Sequence, residues 1–200
     1  MNILGIFSPG PNPSAALLID GKITSWVEEE RFDRIKTSPN SFPSKSIRWC
    51  LENSNLKLSD IDKIAYGWDA PRYIIETKKF LKSSRLYTGD QSEYNKLQDE
   101  LNMNLYHPER IKRQIKMCLS SIDYNVKMPE VFFFKHHDCH VASAFYSSGF
   151  EQSNVLSIDG SCEEVTTLLC HASKDGIKTI KSFKLPNTLG GFYATFTEFL

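Results

Sequence analysis

Apolar residues come in short runs near both ends of the chain and spread out at helical intervals through its middle. Ile3 to Phe7 is a run too short for a helix and predicts a strand. The next residues, Ser8 to Ser14 (SPGPNPS), are too rich in proline and glycine for regular structure. Ala15 to Ile19 and Lys22 to Val27 then flank Asp20-Gly21, a pair that readily takes the positive φ angles of a two-residue hairpin. The same order returns later: Val155 to Ile158, a polar turn, Val165 to His171, Asp175-Gly176, and Ile177 to Phe183. Two copies of strand, glycine-containing turn, strand, Asp-Gly turn and strand predict an internally duplicated fold.

Between the copies the pattern changes. Ser44 to Leu56 carries Ile47, Trp49, Cys50 and Leu51 on a broken helical period, and Leu58 to Gly67 reads as a strand with a polar approach. From about 71 to 124, charges are interleaved among Ile74, Phe80, Leu101, Ile111, Ile115 and Leu119, which predicts a helical insertion. Pro108 suits the first turn of one of its helices. Val131 to Phe134 is apolar and bulky enough for a buried strand, and His136 to Tyr146 follows as a helix. The expected class is α/β, with a mixed sheet, β-hairpins and the helical insertion, all within one domain portion spanning 1–200.

Composition narrows the function more than the fold. Lys and Arg number 24 against 24 Asp and Glu, so no global field argues for nucleic acid or an anionic membrane. The first residues carry no basic region and no long apolar core, so no secretory signal is expected, and no run approaches the ~18 apolar residues of a membrane span. Five cysteines, without CxxC spacing, suggest reduced thiols and a cytoplasmic protein.

The chemistry gathers at His136, His137, Asp138, Cys139 and His140. On a helix, His136 and His140 stand one turn apart on one face, where two imidazoles reach one ion. The strand that follows delivers Asp159 and Gly160 at its end, so the order suits a site at the carboxyl edge of a sheet. Metal or phosphate chemistry stands here beside the plainer reading of partly buried histidines. The zinc-protease pattern fits poorly, because His137 occupies the place of its general-base Glu. Cys139 points away from the His136/His140 face and reads as packing. Earlier, Glu28 to Lys36 (EEERFDRIK) is either a solvated helix start or an anion-binding lip of Arg31, Arg34 and Lys36.

Several stretches taken together resemble the carbamoyltransferases of nodulation-factor and antibiotic biosynthesis. They are Ile3 to Phe7 (ILGIF), Ser14 to Gly21 (SAALLIDG), Glu28 to Lys36, Phe42-Pro43, His136 to Phe150 (HHDCHVASAFYSSGF), Ile158 to Glu163 (IDGSCE) and Thr188 to Tyr193 (TLGGFY). The resemblance implies the first half of a duplicated actin-like domain, of the type also found in tRNA threonylcarbamoyl transferases. It implies an O-carbamoyltransferase that uses carbamoyl phosphate and ATP to make a carbamoyl-adenylate, then carbamoylates a hydroxyl of a small acceptor. Iron(II) or another divalent metal is implied as cofactor, with His136, His140 and Asp159 as ligands. Gly160, Ser161 and Cys162 would offer backbone donors to phosphate, and Arg34 and Lys36 would meet the carbamoyl phosphate anion. No nucleic-acid or membrane partner is expected.

The chain departs from the family pattern in three places. Where many members have a histidine in the first turn, this one has SPGPNP, which leaves Asn12 or backbone groups for that role. The family's DGxGE reads DGSCE, with Cys162 replacing a glycine. The chain stops within an apolar stretch, Phe196 to Leu200, so the expectation is a piece covering the first third of a longer enzyme and inactive alone. Two other readings stay open: an actin-like small-molecule kinase or ATPase, and a nonenzymatic nucleotide-binding remnant.

Overall fold

A computed structural model describes residues 1–8, 10–39, 41–88, 92–160 and 162–200. It divides into two compact units, one formed by residues 1–71 and 93–134, the other by 72–92 and 135–200.

The first unit is built on a five-stranded mixed sheet. Strands β1 (Asn2–Phe7), β2 (Ser14–Ile19) and β3 (Lys22–Glu28) form an antiparallel meander. Its turn places Asp20 at φ 48° and Gly21 at φ 80°, as the Asp-Gly pair predicts. On the other side of β1, β4 (Lys63–Tyr66) and β5 (Glu130–Phe133) add in parallel, giving the order β3-β2-β1-β4-β5. Period-two alternation sends Leu4, Ile6, Ala15, Leu17, Ile64 and Tyr66 to one buried face.

After β3 comes a single turn of helix, α1 (Glu30–Asp33), and then α2 (Ser44–Asn53). Helix α2 lies against β2 and β3 and buries Ile47, Cys50 and Leu51. The expected helical insertion is three helices, α3 (Ala70–Thr88), α4 (Glu93–Leu105) and α5 (Pro108–Ile122). Pro108 opens α5, whose stripe of Ile111, Ile115, Cys118 and Leu119 is buried. The insertion is shared: α4 and α5 belong to the first unit, and nearly all of α3 to the second.

The second unit carries α6 (His136–Ser148) on an antiparallel sheet of β6 (Gln152–Ile158), β7 (Val165–Ser173) and β8 (Gly176–Lys184). Helix α6 ends at Gly149, in the left-handed conformation at φ 77° that suits a glycine after a helix. Its Val141 packs with Leu168 and Cys170, joined by Val155, Val165 and Ile177, to make this unit's core. A last helix, α7 (Leu189–Phe199), is capped by Thr188, whose hydroxyl accepts from the Gly191 N–H. The strand order of the two meanders matches the repeat expected from sequence, and the α/β class with a mixed sheet is what the chain adopts.

Candidate metal centre

In the second unit, three predicted residues come together. His136 and His140 project from the first turns of α6, one turn apart, with their Nε2 atoms 2.8 Å from each other. Asp159 follows directly on β6, and its Oδ2 lies 3.2 Å from His136 Nε2 and 3.6 Å from His140 Nε2. Two imidazole nitrogens and a carboxylate oxygen thus aim at one point, where a ring proton can serve only one neighbour at a time and a shared cation serves all three. Tetrahedral nitrogen or oxygen ligands of a zinc-sized ion stand about 3.3 Å apart, so the spacing fits a divalent ion. His136 is mostly covered (15% exposed), whereas His140 is 51% exposed, so the point opens to solvent on the His140 side.

The surroundings hold this triangle in place. The Asp159 N–H donates to the Thr166 carbonyl at 2.9 Å, and the Gly160 N–H donates to Asp159 Oδ1 at 2.6 Å. Hydrogen bonds from His136 and then His140, with Gly160 and Cys162 adding to them, hold the Asp159 carboxyl far below the usual carboxylate range despite its partial burial. Glu163 is buried, and its carboxylate accepts the backbone N–H of His136 at 3.1 Å, placing negative charge at the α6 N-terminus. Glu164 is gripped by Arg72 Nε at 2.7 Å and by Arg72 Nη2, with Lys184 3.6 Å away. Gly190 sits so close to the Asp159-Gly160 turn that a Cβ there would lie 2.5 Å from the Gly160 nitrogen. Thr188 donates its hydroxyl to the Gly160 carbonyl at 2.6 Å.

His137 has a different task. It is 2% exposed, with Nε2 3.1 Å from the Val165 carbonyl and Nδ1 2.7 Å from Ser157 Oγ. The carbonyl can only accept, so Nε2 carries the proton and Nδ1 accepts from the Ser157 hydroxyl. Burial pushes its pKa down and keeps the ring neutral. Cys139, read from sequence as packing, is a half-buried thiol pushed up to about 11 by burial first and nearby acids second.

Cys162 is buried, and its Sγ lies 3.5 Å from Asp159 Oδ2. Burial and the nearby Asp159 and Glu163 push this thiol well up in the absence of a cation. Gly160 belongs to the same turn, and Ser161 lies outside the described residues.

The other predicted residues belong to the first unit. Arg34 is exposed, in the left-handed region at φ 62°, and ends α1 by donating its N–H to the Glu30 carbonyl. Lys36 is 86% exposed, with Nζ 3.5 Å from Glu30 Oε2. Asn12 is exposed, also left-handed at φ 57°, and its N–H donates to the Thr37 carbonyl at 2.7 Å. Backbone bonds therefore tie the first turn to the loop that carries Lys36. Glu29, which sequence reasoning left among solvated charges, is buried and accepts from Lys45 N, Ser46 N and Ser46 Oγ at 2.7 to 3.1 Å. It caps the N-terminus of α2.

The sequence profile of "Carbamoyltransferase N-terminus" matches residues 2–200. The chain is 34% identical over 94% of its length to "Nodulation protein NolNO" of Sinorhizobium fredii, covering 25% of that protein. It is 31% identical over 99% of its length to an uncharacterised protein of Synechocystis, covering 32% of it. The chain thus spans a third or less of the length of these relatives. Among solved structures it is similar to YeaZ from Pseudomonas aeruginosa (TM-score 0.47, 14% identity, 92% of this chain and 66% of that one). Among the described residues, no helix is long and apolar enough to cross a membrane.

Proposed function

The chain belongs to the carbamoyltransferase family, matching its N-terminal domain, and on that premise we propose that the protein forms a carbamoyl-adenylate and carbamoylates a small hydroxyl acceptor. In this reading water cleaves carbamoyl phosphate to carbamate and inorganic phosphate, a carbamate oxygen displaces pyrophosphate from the α-phosphorus of ATP, and the acceptor hydroxyl, losing its proton, displaces AMP from the resulting adenylate. The observation that carries the reading within the chain is the convergence of His136 Nε2, His140 Nε2 and Asp159 Oδ2 beside a glycine turn.

These three residues would hold the metal, and iron(II) or zinc suits their donor set. A bound ion supplies Lewis-acid polarisation of nucleotide phosphate oxygens. Asp159 gives the anionic ligand, pre-oriented by the Gly160 N–H on its second oxygen. The imidazoles bring no charge, so the site stays attractive to phosphate. In the first unit, the Arg34 guanidinium is solvent-facing and has the fork geometry to take two oxygens of carbamoyl phosphate. Lys36 adds a second cation, loosely held by Glu30.

The test is made on the full-length protein. Wild type should purify with near-stoichiometric divalent metal and release AMP from ATP only when carbamoyl phosphate is present. His136→Ala combined with His140→Ala should lose both metal and AMP formation. ADP as the nucleotide product would replace this reading with a kinase, and absence of both metal and AMP would sink it.

A further inference from the structure

We propose that Cys162 is a fourth protein donor to the metal centre, its thiolate sulfur joining His136, His140 and Asp159 to select a borderline-soft divalent ion. The inference rests on the metal reading above and sharpens it. It starts from the DGSCE turn, where Cys162 stands in place of the glycine that the resemblance implies. That side chain is not merely tolerated. Its Sγ lies 3.5 Å from Asp159 Oδ2, and ligand atoms of His136, Asp159 and Cys162 all fall within 4.8 Å of one another. Around a tetrahedral zinc-sized ion a sulfur and a nitrogen or oxygen ligand stand about 3.5 Å apart, from bond lengths of about 2.3 and 2.05 Å.

A buried cysteine is more often a small hydrophobe, and this chain provides the contrast. Cys170 packs beside Val141 and Leu168, and Cys50 is buried with Ile47 and Leu51 on α2. Cys162 instead faces a carboxylate and an imidazole. When the sulfur binds, the S–H bond breaks, the sulfur–metal bond forms and the proton leaves to solvent.

Two consequences follow from the added thiolate. The donor set becomes two nitrogens, one oxygen and one sulfur, which favours zinc, iron(II) or cobalt(II) over magnesium or manganese. One carboxylate and one thiolate also cancel the charge of a divalent ion, whereas the three-donor site would keep a net positive charge. Cys162 therefore tunes both which ion is held and how strongly that ion draws phosphate.

Cobalt(II) reports on this directly, because thiolate ligation adds a near-ultraviolet charge-transfer band. The full-length protein, stripped of metal and titrated with cobalt(II), should show that band. Cys162→Ser should abolish it, weaken cobalt binding by about tenfold or more, and narrow the preference for zinc over magnesium. Cobalt binding that depends on His136 but shows no thiolate band in wild type would overturn the assignment while leaving the three-ligand site standing. A band that survives Cys162→Ser would overturn it as well, by placing the sulfur elsewhere. No cobalt binding that depends on His136 would overturn the metal reading and this inference together. A wild-type spectrum without the band overturns the assignment whether or not the variant folds, and where Cys162→Ser folds poorly Cys162→Ala carries the same comparison.

Discussion

Three histidines within five residues look alike in the sequence, yet the fold separates them by which way α6 turns them. His136 and His140 face Asp159, while His137 is a neutral brace between Ser157 and Val165. Its replacement by alanine leaves a buried hydroxyl and carbonyl without partners and a cavity behind, costing about 3 kcal/mol in denaturant melts. The same residue gives the stability a pH dependence. Because its folded pKa lies below the ordinary 6.5, the unfolded chain takes up a proton first, so stability falls as pH drops below that value. His137→Gln should flatten that slope between neutrality and about pH 5. Arg34→Ala is expected to raise KM for carbamoyl phosphate while shifting stability by no more than about 0.5 kcal/mol, as for any exposed residue. The His136/His140 pair was legible from i,i+4 spacing alone. The role of Glu29 was not: nothing local distinguishes it from Glu28 and Glu30, and its partners come sixteen and seventeen residues later.

At the level of elements, both meanders and their Asp-Gly turns could be read directly, because alternation and turn chemistry are local signals. The parallel pairing of β1, β4 and β5 could not, since strands that short carry no label for a neighbour about sixty residues away. Helix α7 illustrates how an element tunes a site it does not contribute to. Its Gly190 lies against the backbone of Asp159 and Gly160, with no flexible side chain to yield. Gly190→Ala should push α7 off that turn, destabilise the fold by about 1–3 kcal/mol and weaken metal binding by about tenfold. Calorimetric metal titration checks this, and wild-type affinity in that variant would show that the contact does not govern Asp159. Glu29→Ala, by stripping the buried cap from α2, should cost about 3 kcal/mol without changing metal affinity.

On the scale of the whole molecule, the second unit leaves much apolar surface in water. Leu156, Ile158 and Phe183 on its sheet are 42 to 59% exposed, and on α7 Phe192, Tyr193 and Phe196 are 53 to 75% exposed. Expressed as a separate 200-residue fragment, the chain should self-associate with rising concentration. Replacing Leu156 and Ile158 with threonine should reduce the sedimentation shift, and a monomer at all concentrations would contradict the expectation. The strand order also sets a sequence of events during synthesis. The meander of β1 to β3 pairs neighbours and closes as soon as it emerges, but one edge of β1 waits for β4, and β4 in turn for β5. Contacts of such long sequence separation form slowly, so the nascent first unit spends a period with an open, apolar strand edge, the stage at which a chaperone or a folding partner has most to protect.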